Sequence, residues 1–458
     1  MMLVPYQARD LGGIALIAHY LRERYGHEII LTNSYGIERK LMELAPDALV
    51  IDHLAWDFKA RQARMVKSIG AKLINLPTEG MFQSPDPPLE LAGAKHGVTA
   101  LVDKFLVWGP YVERALQSGG VAPDRLHVTG CPRFDFYADK FRALSSTRED
   151  FLGALGIKNA AAPAILWCTN TTYFARDHRR IIDRYVKRAG WTTERVQMML
   201  SDETEQFNRH SALVKGLARR HPDWNFIIKV HPAEGIHPYL PLVEGASNLF
   251  LAYNSPIREF LIHSDVLLQR NCTTATEAWM LGRPVLDLAM GTYHRQARNQ
   301  FQVGCQSVFS VDEADEALQA YLAGAEMEPE KRKAQSDFIA DFYFRIDGEA
   351  SSRCADLIHE ALSGDAYTDA DQQATREAAR KMLEDWKRAE DARPINRVKD
   401  LLRIPRGKSL RWWKPLFRER GYGAGGYVAE AEITPEMVEP LYRAYRGVLS
   451  TPASPPTA

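Results

Sequence analysis

"SDVLLQRNCTTATEAWMLGRPVLDL", residues 264–288, decides the fold. Asp265-Val-Leu-Leu268 is a short apolar strand, and Asn271-Cys-Thr-Thr274 is a turn of small polar residues. A helix over Ala275 to Leu281 follows, stops at Gly282, and hands over to a second strand, Pro284-Val-Leu-Asp-Leu288. A strand, helix and strand this close together form a parallel pair with a crossover. Parallel sheets are covered on both faces, so their strands read as unbroken apolar runs.

The same rhythm extends in both directions. Upstream lie Ala164-Ile-Leu-Trp-Cys168, the run from Trp224 to Val230, and Leu249-Phe-Leu-Ala252. Nearer the N-terminus, Leu3 to Tyr6, Glu28 to Thr32, Ala48 to Asp52, Lys72 to Leu76, Lys104 to Trp108 and Leu126 to Thr129 alternate with helical segments. "ALSSTRED" (143–150) has the composition of a helix cap, and "KNAAAP" (158–163) that of a linker. The expected fold class is α/β: two Rossmann-like doubly wound domains facing a cleft, with a helical C-terminal extension. The expected boundaries are 1–145 for the first domain and 160–345 for the second. A polar helical insertion spans about 173–210, a closing helix 346–365, and a charged tail 366–458.

Composition limits the function. The 458 residues hold 58 Lys and Arg against 58 Asp and Glu, so no global field draws the chain to nucleic acid. Five scattered cysteines without a C-x-x-C pair suit a reducing cytosol and argue against a disulfide scaffold or zinc cluster. No apolar run reaches the length of a membrane span, and a cytoplasmic location is expected. Residues 397–420 are strongly basic and carry Trp412 and Trp413. Such a segment suits an anionic membrane surface, and equally a tail packed across the domains; nucleic acid is the weaker reading.

Sheets of this kind bind ligands beyond the carboxyl ends of their strands, which focuses attention on four places. Asn271, Thr273 and Thr274 open a helix whose free N–H groups and hydroxyls suit a phosphate, with Glu277 one turn on at ribose distance. A plain capping sequence worth about 1 kcal/mol explains the same residues. In "KVHPAEG" (229–235), Lys229, His231 and Pro232 end the second apolar run of the second half, and Pro232 stops the ladder. Arg9, Asp10, Gly12 and Gly13 follow the first strand, where an acceptor can approach. Glu79-Gly80 follows the strand 72–76.

These residues carry a resemblance. The 265–288 segment, with its E-A-x-x-L-G-x-P-V core, is similar to the nucleotide-sugar site of GT-B glycosyltransferases. "KFLVWGPYVERALQSGGVAPDRLHVTGCPRFD" (104–135) and Asp347-Gly-Glu-Ala-Ser351 resemble segments of capsule and teichoic-acid biosynthesis proteins, and the likeness spans roughly residues 1–362. Bacterial transferases of CMP-activated acidic sugars, Kdo and sialic acids, share an acid-acid-Gly, a His-Pro and a Ser/Thr pair. Here Thr78-Glu79-Gly80, His231-Pro232 and Thr273-Thr274 stand in that order, with Thr78 replacing the first acid.

The resemblance implies a metal-independent transferase of surface-polysaccharide biosynthesis that needs no cofactor. Its donor is a nucleotide sugar and its acceptor a glycan or lipid-linked glycan, on the inner face of the cytoplasmic membrane if the tail binds there. It assigns Glu79 as base, His231 to the leaving phosphate, Lys229, Pro232, Asn271, Thr273 and Thr274 to the nucleotide and its phosphate, Glu277 to the ribose, and Arg9, Asp10, Gly12 and Gly13 to the acceptor side. The one Asp-x-Asp triplet, Asp369-Ala-Asp371, lies in the tail, away from any strand end. A CDP-glycerol or CDP-ribitol phosphotransferase, a nucleotide-sugar 2-epimerase and a non-catalytic scaffold remain as alternatives.

Overall fold

The computed structural model describes residues 1–34, 36–79, 86–174, 176–253, 256–290, 300–392 and 433–450. The basic, tryptophan-bearing stretch 397–420 and Gly80 lie outside the described residues. The chain divides into two units: Met1–Phe136 with the described residues from Asp341 onward, and Tyr137–Ala340.

Among the described residues the first unit carries a six-stranded parallel sheet. In chain order its strands are β1 (Met2–Leu3), β2 (Leu31–Thr32), β3 (Ala48–Ile51), β4 (Lys72–Asn75), β5 (Lys104–Val107) and β6 (Leu126–Val128), arranged 2-1-3-4-5-6. β3 is buried along its whole length, as the unbroken apolar run requires. The order reverses between β1 and β3, which makes their carboxyl ends the switch point.

The helix after β1 runs from Gln7 to Tyr25, so Gly12 and Gly13 sit inside it and not ahead of it. Contact explains the departure from propensity. A Cβ on Gly13 would meet the Arg133 nitrogen at 2.8 Å and the Pro132 carbonyl carbon at 2.9 Å. The Gly12 carbonyl accepts from the Tyr445 hydroxyl at 3.0 Å. Both glycines therefore serve close packing, in place of the open acceptor loop expected from the sequence.

The closing helix, Ala350–Ala361, also belongs to this unit. Asp135 caps it with both oxygens, accepting from the N–H groups of Ala350 (2.8 Å) and Ser351 (2.7 Å). Arg353 ties Asp347 to the Thr129 carbonyl. Two of the sequence segments behind the resemblance thus meet as one helix clamp. The helix Asp369–Ala392 contributes Ala379 to the core of the first unit, and Pro435–Ser450 buries Tyr442 and Tyr445 against Gln7–Tyr25. These tail helices are parts of the unit body. Asp369 and Asp371 form the first turn of the former, where Asp371 accepts from the Thr368 N–H.

The second unit holds, among the described residues, the parallel strands β7 (Ala164–Cys168), β8 (Asn225–Lys229), β9 (Leu249–Ala252), β10 (Val266–Gln269), β11 (Val285–Leu288) and β12 (Gln306–Val308), ordered 12-11-10-7-8-9. Its switch point lies between β7 and β10. The unit begins at Tyr137, earlier than the expected 160. The helix Arg148–Ala154 is bound to it by Arg148, which reaches Asp265 at 2.9 Å and the His263 carbonyl at 2.6 Å. The expected insertion at 173–210 comprises the helices His178–Ala189 and Thr193–Arg220. Leu213, Val214 and Leu217 of the latter lie in the core. Its second half is the crossover from β7 to β8, so only part of it is a solvated excursion.

Candidate functional site

Three loops meet the carboxyl ends of β7, β8 and β10 in the second unit. After β8, His231 turns out of the ladder and its ring is fixed locally: Nδ1 accepts from the Ala233 N–H at 3.1 Å. That contact assigns the ring proton to Nε2. Burial, with Lys229 and Arg176 adding to it, pushes the imidazole down to about 4. His231 is therefore a neutral donor at physiological pH, suited to hydrogen-bonding a phosphate oxygen and not to protonating it.

Beneath His231 lies Lys229, 5% exposed. Its ammonium makes one long bond, 3.4 Å to the Val230 carbonyl, and no carboxylate partner is present among the described residues. Burial lowers its pKa, with the neighbouring Cys168 and Cys272 thiols pulling the other way. A buried ammonium without a counter-charge is costly unless an anion arrives.

After β10, Asn271 adopts a left-handed backbone (φ 48°), a conformation few side chains tolerate. Asn170, after β7, holds it by donating to the Asn271 carbonyl at 2.8 Å across the switch point. Cys272 N–H donates to Gln269 at 2.9 Å, and Arg270 is anchored by the fully buried Asp287 at 2.5 Å. Thr273 precedes the helix Thr274–Met280 without capping it. The N–H groups of Thr273 and Thr274 find no main-chain acceptor among the described residues, and the Cys168 and Cys272 thiols are the groups that lie against Thr274. Glu277 points inward, and one of its oxygens accepts from the Tyr137 hydroxyl. A two-oxygen grip on a ribose therefore requires Tyr137 to move.

Sequence reasoning missed Glu234, the acid of "KVHPAEG". Its buried carboxylate accepts from the Thr171 N–H at 2.7 Å, from the hydroxyls of Thr169 (3.0 Å) and Thr171 (3.3 Å), and from Tyr239. Thr169 in turn accepts from the His231 N–H at 2.9 Å. Glu234 thus fixes the β7 loop to the β8 loop and sets where His231 stands. The signal was present in "TNTT" (169–172), a polar run directly after a buried strand. Pro232 is exposed and only ends the ladder, while His221, the other histidine of a His-Pro pair near this strand, stacks on Trp224 and binds Asp315 at 2.6 Å.

In the first unit, Arg9, Asp10 and Glu79 come together. Arg9 holds both oxygens of Asp10 (2.8 and 3.0 Å) and extends to Glu79 at 3.2 Å and the Thr78 hydroxyl at 3.3 Å. Asp10 is buried, and that burial pushes its carboxyl up against the pull of Arg9 and Arg133. Glu79, at 60% side-chain exposure, presents a positioned carboxylate to solvent. Asp52, His53 and Lys59 stand at the end of β3. There the Lys59–Asp52 pair (2.6 Å) is buried, and Lys59 and His53 overcome the effect of burial to hold the Asp52 carboxyl below its usual range.

No protein-family model and no curated protein matches the chain. Solved structures do. The UDP-GlcNAc 2-epimerase of Neisseria meningitidis, bound to UDP-GlcNAc, aligns at 14% identity over 78% of this chain and 99% of its own, with a TM-score of 0.52. The Listeria monocytogenes protein described as a UDP-N-acetylglucosamine 2-epimerase gives 12%, 80%, 97% and 0.51. A wall teichoic acid polymerase, TagF, reaches 0.49 at 13% identity over 79% of this chain and 89% of its own. The likeness to the epimerases establishes the fold: two parallel six-stranded α/β sheets of the GT-B type, with a helical C-terminal region.

Proposed function

We propose that the chain is a nucleotide-sugar enzyme of surface-polysaccharide biosynthesis, and specifically a glycosyltransferase whose donor is a CMP-activated acidic sugar such as Kdo or a nonulosonic acid. The observation that carries this reading is the buried ammonium of Lys229, without a carboxylate partner among the described residues, beside the neutral His231 at the end of β8, the strand next to the switch-point strand β7. An anionic ligand completes that arrangement, and a nucleotide phosphate is the anion that sheets of this kind take at this position. In this reading Lys229 supplies charge, His231 Nε2–H donates to a phosphate oxygen of the leaving nucleotide, and the N–H groups of Thr273 and Thr274 complete the cradle. Glu79, oriented by Arg9, removes the proton of the acceptor hydroxyl. No residue of this set requires a metal or cofactor, and the proposed acceptor is a glycan or lipid-linked glycan at the inner membrane face.

Transfer tests the assignment. Glu79→Gln keeps size and hydrogen bonding but cannot accept the proton, so turnover falls by about two to four orders of magnitude while nucleotide affinity is unchanged. Full activity in Glu79→Gln removes the mechanism. The donor class is read from nucleotide preference, since the epimerases of similar fold include one bound to UDP-GlcNAc. UDP preference would move the reading to a 2-epimerase, and CDP preference to a polyol phosphotransferase.

A further inference from the structure

An open pocket of about 490 Å³ in the first unit has no role in the site described above. It lies where the chain leaves β3 and enters the helix Asp57–Ser68, and its lining includes Trp56, Asp57, Phe58, Arg61, Lys95 and His96. Trp56 is 56% exposed, an unusual state for the largest apolar side chain. It is nonetheless held: His53 meets it edge-on at 4.5 Å and Phe58 packs at 5.4 Å.

The opposite wall is also built. His96 bonds the Ala55 carbonyl oxygen at 2.8 Å, its other nitrogen lies 3.3 Å from Asp57, and Arg64 pins the His96 carbonyl at 2.7 Å. Arg61 and Lys95 line the pocket and make no ion pair among the described residues. Two uncommitted cations therefore face one carboxylate, Asp57, which His96 already engages.

We propose that this pocket binds an acidic sugar residue of a glycan. A pyranose ring has an apolar C–H face that suits the exposed indole, and its carboxylate suits Arg61 and Lys95. A neutral sugar would leave both cations unused, and a bare anion would leave Trp56 uncovered. His53, which packs on Trp56, stands just past the carboxyl end of β3, a strand at the switch point of the first sheet. With Trp56 held against His53 at that strand end, the pocket is a specificity subsite for an acidic acceptor. This placement rests on the reading of the first unit as the acceptor side, whereas the binding test below does not use transfer at all.

The test is ¹⁹F NMR of the full chain labelled with 5-fluorotryptophan, with the Trp56 resonance assigned from Trp56→Phe. Titration with hyaluronan tetrasaccharide, which carries uronic acids, is compared with neutral chitotetraose. The Trp56 signal is expected to shift with the acidic glycan alone. In the double variant Arg61→Ala/Lys95→Ala the affinity is expected to fall about tenfold, as two screened ion contacts imply. An unmoved Trp56 signal, or an equal response to chitotetraose, overturns the proposal. A specific response in a protein without transferase activity would keep this site and remove the proposed reaction, so the two failures are distinct.

Discussion

Lys229 and His231 show how two neighbouring side chains divide one task. Desolvation acts on both, lowering the pKa of each and taking the imidazole down to about 4. Replacing Lys229 by Met removes an uncompensated buried ammonium. The unliganded protein is expected to gain roughly 1–3 kcal/mol of stability and to lose nucleotide binding. Urea unfolding and calorimetry on the same variant check both halves; a destabilised Lys229→Met would mean that the ammonium is already satisfied. The sequence pointed to His231 because a histidine and a proline close an apolar run there. It did not reveal Glu234, whose partners Thr169, Thr171 and Tyr239 lie in other segments and converge only after folding.

Strands were the most readable elements. Parallel strands are buried on both faces, so Ala164–Cys168 and Leu249–Ala252 are apolar along their length and lie where the sequence places them. Helix starts were less readable where tertiary contact outweighs propensity. Gly12 and Gly13 look like a loop, but the Pro132–Arg133 backbone presses against Gly13 so closely that no other residue fits. Gly13→Ala should cost about 1–3 kcal/mol through overpacking, measured as a lower urea midpoint. The clamp of the closing helix makes a companion prediction: Asp135→Ala leaves two N–H groups unsatisfied and costs about 1–2 kcal/mol, with Asp135→Asn recovering part. An unchanged midpoint in Asp135→Ala would remove the clamp. The boundary at Tyr137 was illegible for a related reason: besides the nearby Ala160 and Ala162 carbonyls, Arg148 binds His263 and Asp265, more than a hundred positions away.

At the scale of the molecule, the doubly wound pattern was visible throughout, whereas the assignment of the last hundred residues was not. Helices with a charged face, such as Asp369–Ala392, read as solvated until the single buried row that includes Ala379 is seen against the first unit. Two second-unit histidines set one part of the acid stability. His210, bonded to the Leu288 carbonyl, is pushed down to about 3 and His231 to about 4, in each case chiefly by burial. Both are neutral when folded, while the unfolded chain takes up protons near 6.5. Between about pH 6.5 and 4 the unfolded state therefore binds more protons, and this contribution to stability is complete above that window and is lost as pH falls through it. The urea midpoint should drop from pH 7 to pH 5, and His210→Gln should reduce the drop; an equal drop in that variant would place the proton uptake elsewhere.

In the proposed reaction the carboxyl end of the second sheet receives a nucleotide phosphate on Lys229 and His231. Calorimetric titration of the wild-type chain and of Lys229→Met with CMP, CDP, UDP and GDP tests it most directly. Binding of a pyrimidine nucleotide, strongest for CMP, is expected to persist in a chelator and to be lost in Lys229→Met. Absence of binding by all four nucleotides, or unchanged affinity in Lys229→Met, would contradict it.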